Sequence, residues 1–313
     1  MSGMPVPAGQ LGTAPGDGEW VAPWLKHEVQ LNRPRANKCW DHSSRSGHLT
    51  QGVTMKLGFV GTGAITESVV RGLVKAGNDL EGIAVSPRNA EVAARLAALH
   101  HRIRIARDNQ SVVDSSDVVF LAVRPQVASD VVAGLEFHPG QRVVSFVAGL
   151  QLEELAEWTR GTPRICRAIP VPLVADLHGV TATFPGDSVV TELFSSLGLV
   201  VEARDAAEFE LFGAACCLMG TYFGLLDVIA RWMMAKGMLN EHARDFLAHL
   251  FAGLSETACT SPERSFEELR TAYSTKGGLN EQVFDLFVSY GGAAAVTAGL
   301  EAAFSRLAPR PGS

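Results

Sequence analysis

The sequence predicts a doubly wound parallel α/β sheet over residues 55–205, followed by an all-α region over residues 206–313. Three observations predict it. Short apolar, β-branched runs alternate with segments of helical period from Lys56 to Ile169. The first run enters a glycine turn that opens a helix. From Ala206 onward every apolar stretch has the period and length of a helix.

The elements follow in order. KLGFVG (56–61) is a strand ending in a glycine turn; Ile65, Val69, Val70, Leu73 and Val74 then recur at helical spacing, and Gly77 stops the helix. GIAVS (82–86) is the second strand, NAEVAARLAALH (89–100) a helix, RIRIA (102–106) a short strand and NQSVVDSS (109–116) a short helix. DVVFLAV (117–123) has the continuous β-branched content of a parallel strand buried on both faces. QVASDVVAGLEF (126–137) reads as a helix, RVVSFVAGL (142–150) as a strand, LEELAEWT (152–159) as a helix and RICRAI (164–169) as a strand. In the second half, residues 209–237 read as one long apolar helix ended by Gly237, and residues 240–258 as another. After a loop with Pro262 come SFEELRTAY (265–273), a TKGG turn and LNEQVFDLFVSYGG (279–292).

Residues 1–54 scatter Pro and Gly without period and carry no apolar signal core. They are read as a disordered or non-native extension, Met55 standing directly before the first strand. Over the whole chain 47% of residues are apolar and 19% charged, which supports a sizeable core. A net charge of -6 gives no basic surplus for nucleic acid or an anionic membrane. Five cysteines without a CxxC pair argue against a disulfide framework or a metal site and for a reducing compartment, the cytoplasm. His100 and His101 are adjacent, and His242 and His249 share a helix face without a third ligand; all four are read as structural. The uncharged run Leu211 to Leu226 spans about 24 Å as a helix, short of the roughly 30 Å of a hydrocarbon core, and is expected to be a buried packing helix. The longer apolar helix around it needs a close helical partner, either a second subunit or the core of a monomeric bundle.

The chemistry gathers at the glycine turn. Gly61-Thr62-Gly63-Ala64-Ile65-Thr66 fills a G-x-G-x-x-G pattern with Thr66 in the third place. Gly61 allows the tight turn, Gly63 lets the backbone approach a pyrophosphate, and the helix N-terminus offers free N–H groups. The second strand ends in Ser86-Pro87-Arg88, with no carboxylate to bond a ribose 2′-hydroxyl. A hydroxyl and a guanidinium suit a 2′-phosphate, so NADP(H) is expected over NAD(H); the alternative is that Arg88 is a solvated helix-start residue. Ala122, Val123, Arg124 and Pro125, and Ala148 and Gly149, fall at the carboxyl ends of strands, where the crevice of such a sheet lies. In the turn Thr275-Lys276-Gly277-Gly278-Leu279-Asn280 the glycine pair at a helix N-terminus forms an anion nest for a carboxylate. Lys276 reads as a carboxylate ligand or an acid, or else as a solvated charge.

Several blocks together resemble the pyrroline-5-carboxylate reductase family: GFVGTGAITESVVRGL, the strand end AVRPQ, the strand SFVAGL, the segment RAIPVPLVADLHGVTATFP, and Gly291-Gly292 before an Ala-rich helix. The resemblance spans roughly residues 55–307. It implies a Rossmann-type sheet followed by an all-α helical dimerisation domain that interlocks with a partner subunit. It also implies hydride transfer from NAD(P)H to a cyclic imine carboxylate such as 1-pyrroline-5-carboxylate. Carried over, it places Gly61 to Ile65, Ser86, Arg88, Ala122 to Pro125, Ala148 and Gly149 around the cofactor, and Thr275, Gly277 and Gly278, which match the family's substrate loop, around the substrate; Lys276 and Asn280 of the same turn are candidates for substrate binding and for the chemistry on their own residue types. This chain departs from the family pattern at Ile169 and Val171, where the family has Met and Asn. It departs again at Lys276, which replaces a proline, and at Asn280, which replaces a hydroxyl residue. Two other functions stay open: a β-hydroxyacid-type dehydrogenase using Lys276, and a non-catalytic NADP-binding protein.

Overall fold

A computed structural model describes residues 55–308 except 79, 162 and 163. The expected extension at residues 1–54 lies outside the described residues. Eight strands form one sheet: β1 (Met55–Val60), β2 (Leu80–Val85), β3 (Ile103–Ile105), β4 (Val118–Leu121), β5 (Arg142–Ser145), β6 (Arg164–Pro170), β7 (Gly179–Phe184) and β8 (Gly198–Glu202), in the order β3-β2-β1-β4-β5-β6-β7-β8. The strand order reverses beside β1, at the β1/β4 junction, and that reversal opens a crevice at the carboxyl ends of these two strands.

Helices cover both faces. On one face Leu57 and Phe59 of β1 and Phe120 of β4 pack with Leu73 of α1 (Ala64–Ala76) and Phe194 of α6 (Ser188–Ser195), the rings of Phe59 and Phe120 stacking at 4.7 Å. On the other, Val60, Val119, Leu121 and Val143 meet Ala128 and Val132 of α4 (Pro125–Val132) and Leu155 of α5 (Leu152–Trp158). β4 is apolar throughout because both its faces are covered. Each such side chain contributes about 1.5–3 kcal/mol on burial. Two further helices, α2 (Ala90–Ala97) and α3 (Asn109–Asp114), complete the crossovers and start at side-chain caps, Asn89 and Asp108.

Four expectations are corrected. The sheet is not wholly parallel: β6 and β7 are antiparallel, because residues 171–178 hold only a 3-10 turn (Pro172–Asp176), too short for a parallel crossover. The strand expected at 142–150 ends at Ser145, and the helix expected at 126–137 ends at Val132. The long helix expected at 209–237 is broken at Cys217 into α7 (Ala206–Cys216) and α8 (Leu218–Ala235). Its apolar run is largely exposed within one chain, where the sequence demands a close helical partner. α8 has no buried residue, and Phe223, Val228 and Trp232 are each more than 60% exposed. By length and composition residues 206–235 are sufficient to cross a membrane. The remaining helices are α9 (Asn240–Thr260), α10 (Phe266–Ala272), α11 (Leu279–Ser289) and α12 (Gly292–Leu307).

Candidate functional site

The β1–α1 turn is built so that its own atoms leave room in front of it. Gly61 has φ +106°, and a Cβ there would lie 2.5 Å from the Ala122 carbonyl oxygen, so the strand-to-helix turn can close only on glycine. A Cβ on Gly63 would meet nothing within 4 Å. That glycine is therefore not demanded by internal packing; the space before it is open toward the crevice. Gly63 also caps α1 without any side-chain hydrogen bond, which leaves the first-turn N–H groups of Ala64 and Ile65 facing the same space. Thr66, in the third pattern position, is fully buried and its Oγ1 donates to the Gly61 carbonyl at 2.7 Å.

The second strand braces this turn. Ser86 is buried, its Oγ accepts the Gly61 N–H at 2.9 Å, and its carbonyl accepts from Thr62 Oγ1 at 3.0 Å. The hydroxyl expected beside a 2′-phosphate is thus already engaged by the turn. Arg88, two residues on, is exposed. Across the crevice α4 begins at Pro125 with no side-chain cap on its N-terminus, Arg124 and Pro125 are exposed, and Ala122 and Val123 are half-buried. After β5 the chain enters a loop in which Val147 is buried, Ala148 exposed and Gly149 left-handed at φ +72°. Burial pushes the Cys166 thiol up to about 12, so it holds no thiolate for nucleophilic work.

The turn at residues 275–280 is separate. Thr275, Lys276 and Asn280 are exposed, the Gly278 N–H donates to the Thr275 carbonyl at 2.7 Å, and Asn280 Nδ2 donates to the Tyr273 carbonyl at 2.6 Å. Its hydrogen bonds among the described residues stay within the loop and helices α9 to α11, with none to the cofactor turn. The Gly277 N–H donates to Glu281 Oε2 at 2.6 Å, so the chain's own carboxylate sits at the nest expected for a ligand.

Residue reading alone did not single out a buried polar group behind the crevice. Arg167 of β6 and Glu210 of α7, both 2% exposed, pair at 2.7 Å, and Arg167 Cζ lies 4.4 Å from the centre of the Phe209 ring. The available signal was a lone arginine inside an otherwise apolar strand and a lone glutamate at the start of an apolar helix.

Two family models cover the two halves. One described as NADP oxidoreductase, coenzyme F420-dependent, matches residues 56–149; one described as pyrroline-5-carboxylate reductase dimerisation matches residues 209–309. The pyrroline-5-carboxylate reductase of Glycine max is 32% identical over 159 residues, 48% of this chain and 57% of that protein. That of Pseudomonas aeruginosa is 27% identical over 266 residues, 82% of this chain and 96% of that protein. Across both halves the chain is similar to the pyrroline-5-carboxylate reductase family. Its fold matches the crystal structure of the Plasmodium falciparum pyrroline carboxylate reductase with NADP bound, at a TM-score of 0.71 and 17% identity, covering 81% of this chain and 97% of that one. With these relatives, it is an oxidoreductase of the class that acts on carbon–nitrogen double bonds. The open space at Gly63, the uncapped amides and the small residues at the strand ends fit an NAD(P) dinucleotide.

Proposed function

We propose that this protein reduces a cyclic imine carboxylate with NADPH, 1-pyrroline-5-carboxylate being the lead substrate and proline the product. The observation that carries the reading is the crevice at Gly61 and Gly63, joined in one chain to a Thr-Lys-Gly-Gly turn before α11. When bound, the dinucleotide supplies the hydride. The chain's part is placement. The N–H groups of Ala64 and Ile65 hold the pyrophosphate, Arg88 meets the 2′-phosphate that selects NADPH over NADH, and Ala122 to Pro125 with Ala148 and Gly149 flank the nicotinamide end. The reacting carbons must approach to about 3–3.5 Å. The imine carbon gains the hydride and its nitrogen a proton, from solvent or from the Lys276 ammonium; Asn280, an amide, offers a hydrogen bond and not the proton.

Thr275, Lys276, Gly277, Gly278 and Asn280 supply the substrate end. Because this loop bonds only to its own helices, a second chain is the natural source of it for each crevice, and the exposed apolar faces of α8, α11 and α12 are the surfaces by which two copies join. The dimerisation-model match over 209–309 supports self-association. We place the enzyme in the cytoplasm and assign it neither a nucleic-acid partner nor a membrane. Glu210, buried against Arg167, and the exposed Asp227–Arg231 pair sit badly with a lipid-facing helix.

A substrate panel tests the proposal. NADPH oxidation with 1-pyrroline-5-carboxylate, and not with ketoacids, is the expected result. Turnover of ketoacids alone assigns a hydroxyacid dehydrogenase instead, and NADPH binding without turnover of either assigns a binding protein.

A further inference from the structure

Behind the crevice, three side chains from three elements form a buried polar strut. The Gln151 amide nitrogen donates to Glu210 Oε1 at 3.2 Å, to the Leu307 carbonyl at 3.1 Å and to the Gly149 carbonyl at 3.3 Å. All three neighbours are acceptors, so the nitrogen, and not the amide oxygen, must face them. Glu210 Oε1 also accepts from Arg167 Nη2 at 2.7 Å. Arg167 leaves Nε and Nη1 without a hydrogen-bond partner. A buried ion pair with two idle donors is a poor device for stability, since a well-packed apolar group fills such a space as well or better. What the group does achieve is geometric. It ties the carbonyl of Gly149, in the loop that follows β5, to the carbonyl of Leu307 at the C-terminal end of α12. Gly149 is already close to that helix end: a Cβ on it would lie 3.4 Å from the Arg306 carbonyl oxygen. Arg167 itself stands beside Ser145, the last residue of β5, in the sheet register.

We infer that Gln151, Glu210 and Arg167 are positioning residues for hydride transfer: they set the height of the 146–149 loop at the nicotinamide end of the crevice and couple it to α12. The inference rests on the proposed placement of the nicotinamide. It assigns the helical half a direct hold on the reacting geometry, because the Leu307 carbonyl at the end of α12 and the Gly149 carbonyl share the Gln151 amide.

The test uses the full chain with NADPH bound. In Gln151→Leu, amide hydrogen exchange at residues 147–150 should rise about tenfold while exchange elsewhere stays unchanged. The NADPH dissociation constant and imine Michaelis constant should stay within about threefold, and kcat should fall about tenfold. Glu210→Gln, which keeps the shape and weakens the Arg167 pair, should give a smaller change of the same kind. Local exchange and kcat both unchanged in a folded Gln151→Leu variant would overturn the inference. So would a rise in exchange spread over the whole sheet, which marks a merely structural role. A wild-type chain that binds NADPH and reduces no imine defeats the proposed function, and the exchange measurement then decides the inference by itself.

Discussion

Glu281 turns its carboxylate onto the N–H of Gly277, 2.6 Å away, at the start of α11. An acid of the chain thereby occupies the donor proposed for an incoming carboxylate. Replacing it frees the donor: Glu281→Gln should lower the Michaelis constant for a carboxylated imine about three- to tenfold, with kcat held, the size of one ordinary net hydrogen bond. A Michaelis constant that does not move takes the nest out of the substrate site.

Lys276 lies beside that nest, exposed, and pairs with no carboxylate among the described residues. If it receives the substrate carboxylate, Lys276→Ala should raise the Michaelis constant tenfold or more, corresponding to about 1.5–3 kcal/mol. Wild-type steady-state kinetics in that variant would remove the role.

Arg88 stands next to the Asn89 cap of α2 with its side chain in solvent. Arg88→Ala should raise the Michaelis constant for NADPH about tenfold and leave that for NADH as it was, since only the 2′-phosphate loses a partner. Equal changes for both cofactors would show a general loss of the site.

Glu67, in the first turn of α1, is held well below the usual carboxylate range, to about 2, first by hydrogen bonds from Arg95 and then by those from Arg71. Its folded-state pKa is depressed from 4.5, so the stabilisation is complete above about pH 4.5 and is lost as pH falls toward 2. Glu67→Gln should cost about 1 kcal/mol at neutral pH after allowing for solvent screening, and nothing near pH 2. Urea melts at both pH values check the sign.

Trp232 and Phe223 project from α8 with more than 60% of their surface exposed. Trp232→Glu with Phe223→Glu should reduce the mass seen by light scattering to that of one chain. A wild type that is already monomeric would contradict the dimer proposal outright.

Local pattern made much of this legible and long-range pairing made the rest illegible. β4 could be read from its unbroken β-branched run, and the α1 turn from Gly61 and Gly63, because each is specified by neighbours in sequence. The antiparallel β7 was also within reach: residues 171–178 cannot hold a crossover helix, and the length of that connection was the signal. The early end of β5 was not, because Val143 to Leu150 stays apolar while the ladder stops where its neighbour β4 ends, at Leu121 opposite Ser145. The Arg167–Glu210 pair joins a strand to a helix far along the chain, and Glu281 filling its own nest depends on a side-chain rotamer. Neither leaves a periodic trace. The exposure of α8 was legible only as the need for a helical partner, since hydropathy records what must be covered and not what covers it.

A helix as apolar as α8 with no buried residue of its own links folding to mass action. Whatever covers it lends stability only in proportion to how often it is bound, so the melting temperature should climb with protein concentration. Activity measured at assay dilution would then decay with time on the bench in a way that bovine serum albumin does not prevent and a concentrated stock reverses.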